Sequence, residues 1–152
     1  MSGVNLFLDS SVLFSGIVSA SGAARVLLLL AETEHIVVTI SEQVVTETER
    51  ALARKAPQAL NDLRQAILAS KAQIVRDPST EDVSAHLNWI SHPADVPILL
   101  AAMHAGVDYL VTLKRRHFID DPGVARKTGL RIGTPGEALA WVRGQITAEE
   151  SE

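Results

Sequence analysis

"NLFLDSSVLFSG", residues 5–16, carries a short apolar strand pattern straight into a carboxylate at Asp9 and then into a second apolar run. On these residues alone, two readings of Asp9 stand. It can cap the following helix by accepting the free N–H groups of the first turn, or it can be one ligand of a metal site at the carboxyl end of a strand. A cap is a local device, whereas a metal site needs further carboxylates from distant parts of the chain.

Outward from this stretch, short β-rich segments alternate with longer helical ones. The strand candidates are "VNLFL" at 4–8, "HIVVTI" at 35–40, "AQIVR" at 72–76, "DYLVTL" at 108–113 and "LRIG" at 130–133. That alternation predicts an α/β fold, a parallel sheet with helices on both faces. The segments between the strands carry helix signals. Ser41 can cap a helix in which Val44, Val45, Thr48 and Leu52 recur at helical spacing, and Pro93 and Gly106 bracket another. "TPGE" offers Thr134 as cap, Pro135 at the first helical position and Glu137 as capping-box partner. In an open parallel sheet, ligands bind outside the carboxyl ends of the strands, where the strand order reverses. Asp9 falls at such an end.

Length and composition bound the function. The 152 residues make one domain, read as 1–146 with a short acidic tail at 147–152. There is no cysteine, which excludes a disulfide frame, thiolate catalysis and cysteine zinc sites and suits a reducing, cytoplasmic setting. Asp9 and the absence of a preceding basic residue argue against a secretory leader. No apolar run reaches the roughly 18 residues of a membrane span. A net charge of −4 argues against broad coating of nucleic acid, though not against a local basic patch. Walker A and GxGxxG fingerprints are absent, and the five histidines form no HExxH pair and are scattered along the sequence without convincing zinc spacing.

Glu47, two turns into the helix after the second strand, and Asp95, at a helix start before the fourth, are the carboxylates that can join Asp9. Each taken alone reads as a solvated or capping residue. Together with their surroundings they read differently. In "FLDSSVLFSG", "ISEQVVTETERAL", "DVPILLAAMHAGVDYLVTLKRRHF" and "TGLRIGTPGEAL", taken in order and spacing, the chain resembles the PIN domains. This is a family of metal-dependent nucleases that includes the VapC-type toxins of bacterial toxin–antitoxin pairs.

The resemblance implies a three-layer α/β/α sandwich with a central parallel sheet of about five strands. It implies a ribonuclease using Mg²⁺ or Mn²⁺, with Asp9, Glu47 and Asp95 as metal-binding carboxylates and Thr112 as the hydroxyl residue at the end of the fourth strand. An RNA substrate, a cognate antitoxin and a homodimer are the partners it implies, with no membrane. Oxygen-rich sites of this kind suit magnesium and manganese. One position departs from the pattern: where the family commonly has another acidic residue, this chain has Lys114. Lys114, Arg115 and Arg116 then read as phosphate-binding cations beside the carboxylates. The alternative is a catalytically impaired PIN domain that binds RNA or a protein partner.

Overall fold

The computed structural model describes residues 3–151, so the first two residues of the expected domain and Glu152 lie outside the described residues. Five strands form one sheet: β1 (Asn5–Leu8), β2 (Val37–Ser41), β3 (Gln73–Val75), β4 (Tyr109–Val111) and β5 (Arg131–Gly133). All four pairings are parallel, in the order β3-β2-β1-β4-β5. The helices that flank it are α1 (Ser10–Val18), α2 (Ala23–Glu32), α3 (Glu42–Lys55), α4 (Leu60–Ala69), α5 (Thr80–Ala85), α6 (Val96–Ala105), α7 (Pro122–Thr128) and α8 (Pro135–Ser151). The result is the three-layer α/β/α sandwich expected from the sequence.

Central strands covered on both faces should be apolar on both faces. Leu6, Phe7 and Leu8 of β1, and Leu110 and Val111 of β4, are accordingly buried to the last atom. Beneath the sheet α1 and α2 pack closely at Gly16, where an added Cβ would lie 2.7 Å from Leu28 Cδ1 and 3.3 Å from the Ala24 carbonyl oxygen. Glycine is required there by the approach of the helices.

Local signals hold where they were expected. The Ser41 hydroxyl accepts from Val44 N–H at 3.3 Å and opens α3. Thr134 and Glu137 form the reciprocal capping box, with the Glu137 N–H donating to Thr134 Oγ1 and the Thr134 N–H donating to Glu137 Oε1. Gly106 ends α6 in the left-handed conformation, φ +65°, that glycine adopts without steric cost. The segment 147–151 of the expected tail continues α8. Among the described residues, no single helix is long and apolar enough to cross a membrane.

The topology sets the site. From β1 the chain winds outward through β2 and β3, then returns to place β4 on the other side of β1. The strand order therefore reverses between β1 and β4, and the crevice at their carboxyl ends is the place where such a sheet binds ligands.

Candidate functional site

Leu8 of β1 pairs with Val111 of β4, so the next residues of both strands, Asp9 and Thr112, leave the sheet side by side at the reversal point. The Asp9 N–H still donates to the Val111 carbonyl at 3.2 Å, which extends the ladder by one bond and holds the aspartate in place. Both residues have no exposed surface. Thr112 Oγ1 donates to Asp9 Oδ2 at 2.5 Å, while Ser11 Oγ and the Val12 N–H donate to Oδ1 at 2.6 and 3.1 Å. Of the two roles open to Asp9, the cap is realised through Val12, and its other oxygen is held by Thr112 at the ends of β1 and β4.

Burial pushes the Asp9 carboxyl above the ordinary aspartate range. The donated hydrogen bonds of Ser11, Thr112 and Val12, and the charge of Lys114, act in the opposite direction without overcoming it. Burial thus works against the ionised form of Asp9, and positive charge nearby works for it.

Asp95 closes a short 3-10 turn, Pro93–Asp95, immediately before α6 and is also buried. Its two oxygens face different partners. Lys114 Nζ donates to Oδ1 at 3.1 Å, and His117 Nδ1 lies 2.5 Å from Oδ2. Lys114 follows Thr112 by two residues, and its backbone N–H donates to Thr112 Oγ1 at 2.9 Å. The β4 exit is in this way tied to both aspartates.

Glu47 lies on α3, which begins at the carboxyl end of β2. Its Oε1 accepts from Ser10 Oγ at 3.0 Å and its Oε2 from Gln43 Nε2 at 3.3 Å. Burial works to lower the Lys114 pKa, but Asp95, by charge and hydrogen bond, and then the charges of Asp9 and Glu47 outweigh it, so the ammonium is held above its ordinary value. Lys114 touches Asp95 and feels the charges of Asp9 and Glu47. Among the described residues, the group of three metal-capable side chains with donor atoms within 4.8 Å of one another is His92, Asp95 and His117, and Asp9 and Glu47 are not part of it.

The other cations divide. Arg115 turns to Glu137 on α8, 3.7 Å away, and Arg116 is exposed. Arg131 opens β5 opposite Tyr109, at the strand-start end of the sheet, and its guanidinium lies over the Trp141 ring. Asp121 caps α7 through the Gly123 N–H at 2.9 Å, and Asp120 is exposed.

No sequence signal pairs His92 with His117. His92 and His117 stack with ring centroids 3.5 Å apart and planes inclined by 13°. Together with Asp95 they offer three donor atoms within 4.8 Å of one another. The one local hint is the spacing of His92 and Asp95, three residues apart, which puts both side chains on one side of a 3-10 turn.

Residues 5–116 match the family model of the PIN domain. The chain belongs to the PIN-domain family. PIN domains are generally nucleases and typically use divalent metal ions. No curated protein matches the sequence. Among solved structures, PAE2754 from Pyrobaculum aerophilum is similar to this PIN domain with 18% identity over 93% of this chain and 96% of that one, TM-score 0.64. VapC20 of Mycobacterium tuberculosis, a toxin that cleaves the sarcin-ricin loop, is similar with 14% identity over 69% of this chain and 86% of that one, TM-score 0.53. FitAcB from Neisseria gonorrhoeae is similar with 17% identity over 86% and 97%, TM-score 0.56. At these identities the likeness is one of fold.

Proposed function

We propose that this PIN domain is a metal-dependent endoribonuclease, the toxin of a toxin–antitoxin pair, whose centre is the crevice between the ends of β1 and β4. The observation that carries the reading is the convergence of charge on Lys114: Asp95 touches its ammonium, and Asp9 and Glu47 act on it through their fields. Among the described residues, Lys114 is the cation whose charge acts on the buried Asp9, and it is shared with Asp95 and Glu47.

In this reading Asp9, Glu47 and Asp95 hold Mg²⁺ or Mn²⁺. When bound there, such an ion polarises a phosphoryl oxygen and acidifies a water to serve as nucleophile. The chain's own groups do the positioning. Thr112 and Ser11 fix both oxygens of Asp9, and Ser10 and Gln43 fix those of Glu47, so neither carboxylate must be ordered at the moment of reaction. Lys114 and the exposed Arg116 supply positive charge to an RNA phosphate. Arg115 joins them by exchanging its exposed pairing with Glu137, a bond of the weak surface kind. A cognate antitoxin and a second copy of the chain are the protein partners, and the cytoplasm the compartment, that accompany this reading.

A second reading rests on the same lysine. The Lys114 ammonium already neutralises Asp95, so a PIN domain that binds RNA or a protein without cutting is the alternative. One experiment separates the two. Purified protein with Mn²⁺ is offered single-stranded RNA, with EDTA and Asp9→Asn as controls. Cleavage that EDTA and Asp9→Asn both abolish supports the nuclease. RNA binding without cleavage, together with tighter Mn²⁺ binding in Lys114→Asp, supports the second reading. Cleavage that persists in Asp9→Asn and in EDTA refutes both.

A further inference from the structure

We propose that His92, Asp95 and His117 form a second cation site, which takes a borderline transition metal of the Zn²⁺ or Co²⁺ class and shares only Asp95 with the carboxylate centre. Neither the nuclease reading nor its alternative requires this site, and it stands or falls separately from them.

The chain builds the site from two short turns. His92 precedes Pro93, and the 3-10 turn that follows brings Asp95 to the same side, because residues three apart eclipse in that geometry. His117 comes from the other direction, on a single wide turn, Arg115–Ile119, in which the Asp120 N–H reaches back to the Arg115 carbonyl at 2.8 Å. Such i→i+5 turns are rare and recur at functional sites. Here the turn aims His117 at Asp95 and stacks its ring on His92.

The donors are two imidazole nitrogens and one carboxylate oxygen. That set distinguishes this site from the carboxylate centre, since imidazole suits zinc, cobalt and nickel, and magnesium seeks oxygen. Three protein donors with a free position are the usual composition of an open zinc site. Tetrahedral ligands at zinc distances stand roughly 3.3 Å apart, and these donors already lie within 4.8 Å of one another. To reach that spacing His117 Nδ1 and Asp95 Oδ2 must part from 2.5 Å, and the exposed His92 ring must turn out of its stack on His117 so that its lone pair converges with theirs.

Asp95 is also supported from behind. Lys114 Nζ holds Oδ1 at 3.1 Å and leaves Oδ2 directed at His117, the kind of outer hydrogen bond that orients a ligating carboxylate. The two oxygens of one buried aspartate thus serve two neighbouring centres. A dication on the histidine side places positive charge near Lys114, so filling one centre weakens cation binding at the other.

Another histidine pair supplies the control. Asp82 lies between His86 and His104, at 3.4 and 3.2 Å, on α5 and α6. Their donor atoms are not gathered as closely as those of His92, Asp95 and His117, the group within 4.8 Å among the described residues.

The test uses Co²⁺ as a spectroscopic stand-in for zinc, titrated into the full chain while the visible d–d absorption is followed. One equivalent should produce a band that Zn²⁺ displaces and that excess Mg²⁺ weakens without abolishing. His92→Ala and His117→Ala should each weaken Co²⁺ binding by at least about tenfold, the loss seen even for removing a group that only orients a ligand. Asp9→Asn and His104→Ala should keep the band. Far-UV circular dichroism of each variant checks folding, and the exposed His92 is the substitution least coupled to it. Absence of a band in the wild type overturns the proposal. So does a band that survives both His92→Ala and His117→Ala, or one lost in His104→Ala instead. Loss of RNA cleavage in Asp9→Asn with the band intact would separate this site from the nuclease centre.

Discussion

Replacing Lys114 by methionine removes the ammonium that touches Asp95 and acts by charge on Asp9 and Glu47, and keeps most of the side-chain volume. The Nζ–Oδ1 distance is 3.1 Å, and the two side chains are 29% and 6% exposed. At an effective dielectric constant near 20 the bare attraction is about 5 kcal/mol. Desolvating the ammonium takes back much of that, as the downward pull of burial on the Lys114 pKa shows. Exposed pairs contribute about 0–1 kcal/mol and breaking fully buried ones costs about 3–5. A pair buried on one side and partly open on the other falls between, at about 2 kcal/mol. For a chain of this size that corresponds to a Tm lower by about 4–8 °C. Lys114 has its pKa raised in the folded state, so its stabilisation is fully present below the ordinary lysine value of 10.5 and is lost as pH rises through the folded value. The wild-type advantage should therefore be level around neutral pH and shrink only above that value. Differential scanning fluorimetry with EDTA and with Mn²⁺ reads both effects. With the ammonium gone, Mn²⁺ should raise the Tm of Lys114→Met more than that of the wild type, since a ligand at a hundred times its Kd adds about 2.7 kcal/mol. An unchanged Tm with equal Mn²⁺ responses would refute the argument that Lys114 is the internal counter-charge of this centre.

Other substitutions probe separate links. Metal-free Asp9→Asn should melt above the wild type: burial raises the Asp9 pKa, so its ionised form destabilises the fold increasingly as pH rises through the folded value, and asparagine carries no charge. Thermal melts in EDTA at acidic and neutral pH test this, and the gap should widen toward neutrality. Thr112→Val removes the hydroxyl donor to the buried Asp9 Oδ2, and urea unfolding should show a loss of about 1–3 kcal/mol. Gly16→Ala forces a Cβ against Leu28 and the Ala24 carbonyl, and the same assay should record about 1–3 kcal/mol of destabilisation. Thr134→Ala opens the capping box of α8 at a cost of about 1 kcal/mol, with no effect on Mn²⁺ binding measured by calorimetry.

Features that depend on neighbours a few residues apart were legible in the order of the amino acids. Strand alternation, the Ser41 and Thr134 caps, the Gly106 stop and the position of Asp9 at a strand end all follow from local hydrogen bonding and from the burial of periodic apolar positions. The resemblance to PIN domains added Glu47 and Asp95 as companions of Asp9. Which groups meet was decided by the tertiary structure alone. Asp9 and Thr112 are 103 residues apart and touch because β4 returns to pair with β1. Lys114 and His117 divide the two oxygens of Asp95, while Arg115, adjacent to Lys114, leaves for Glu137. A run reading "KRRH" carries no sign of that division. It arises because the chain makes a single wide turn on leaving β4, and a turn's geometry, not its charge, fixes the direction in which each side chain points.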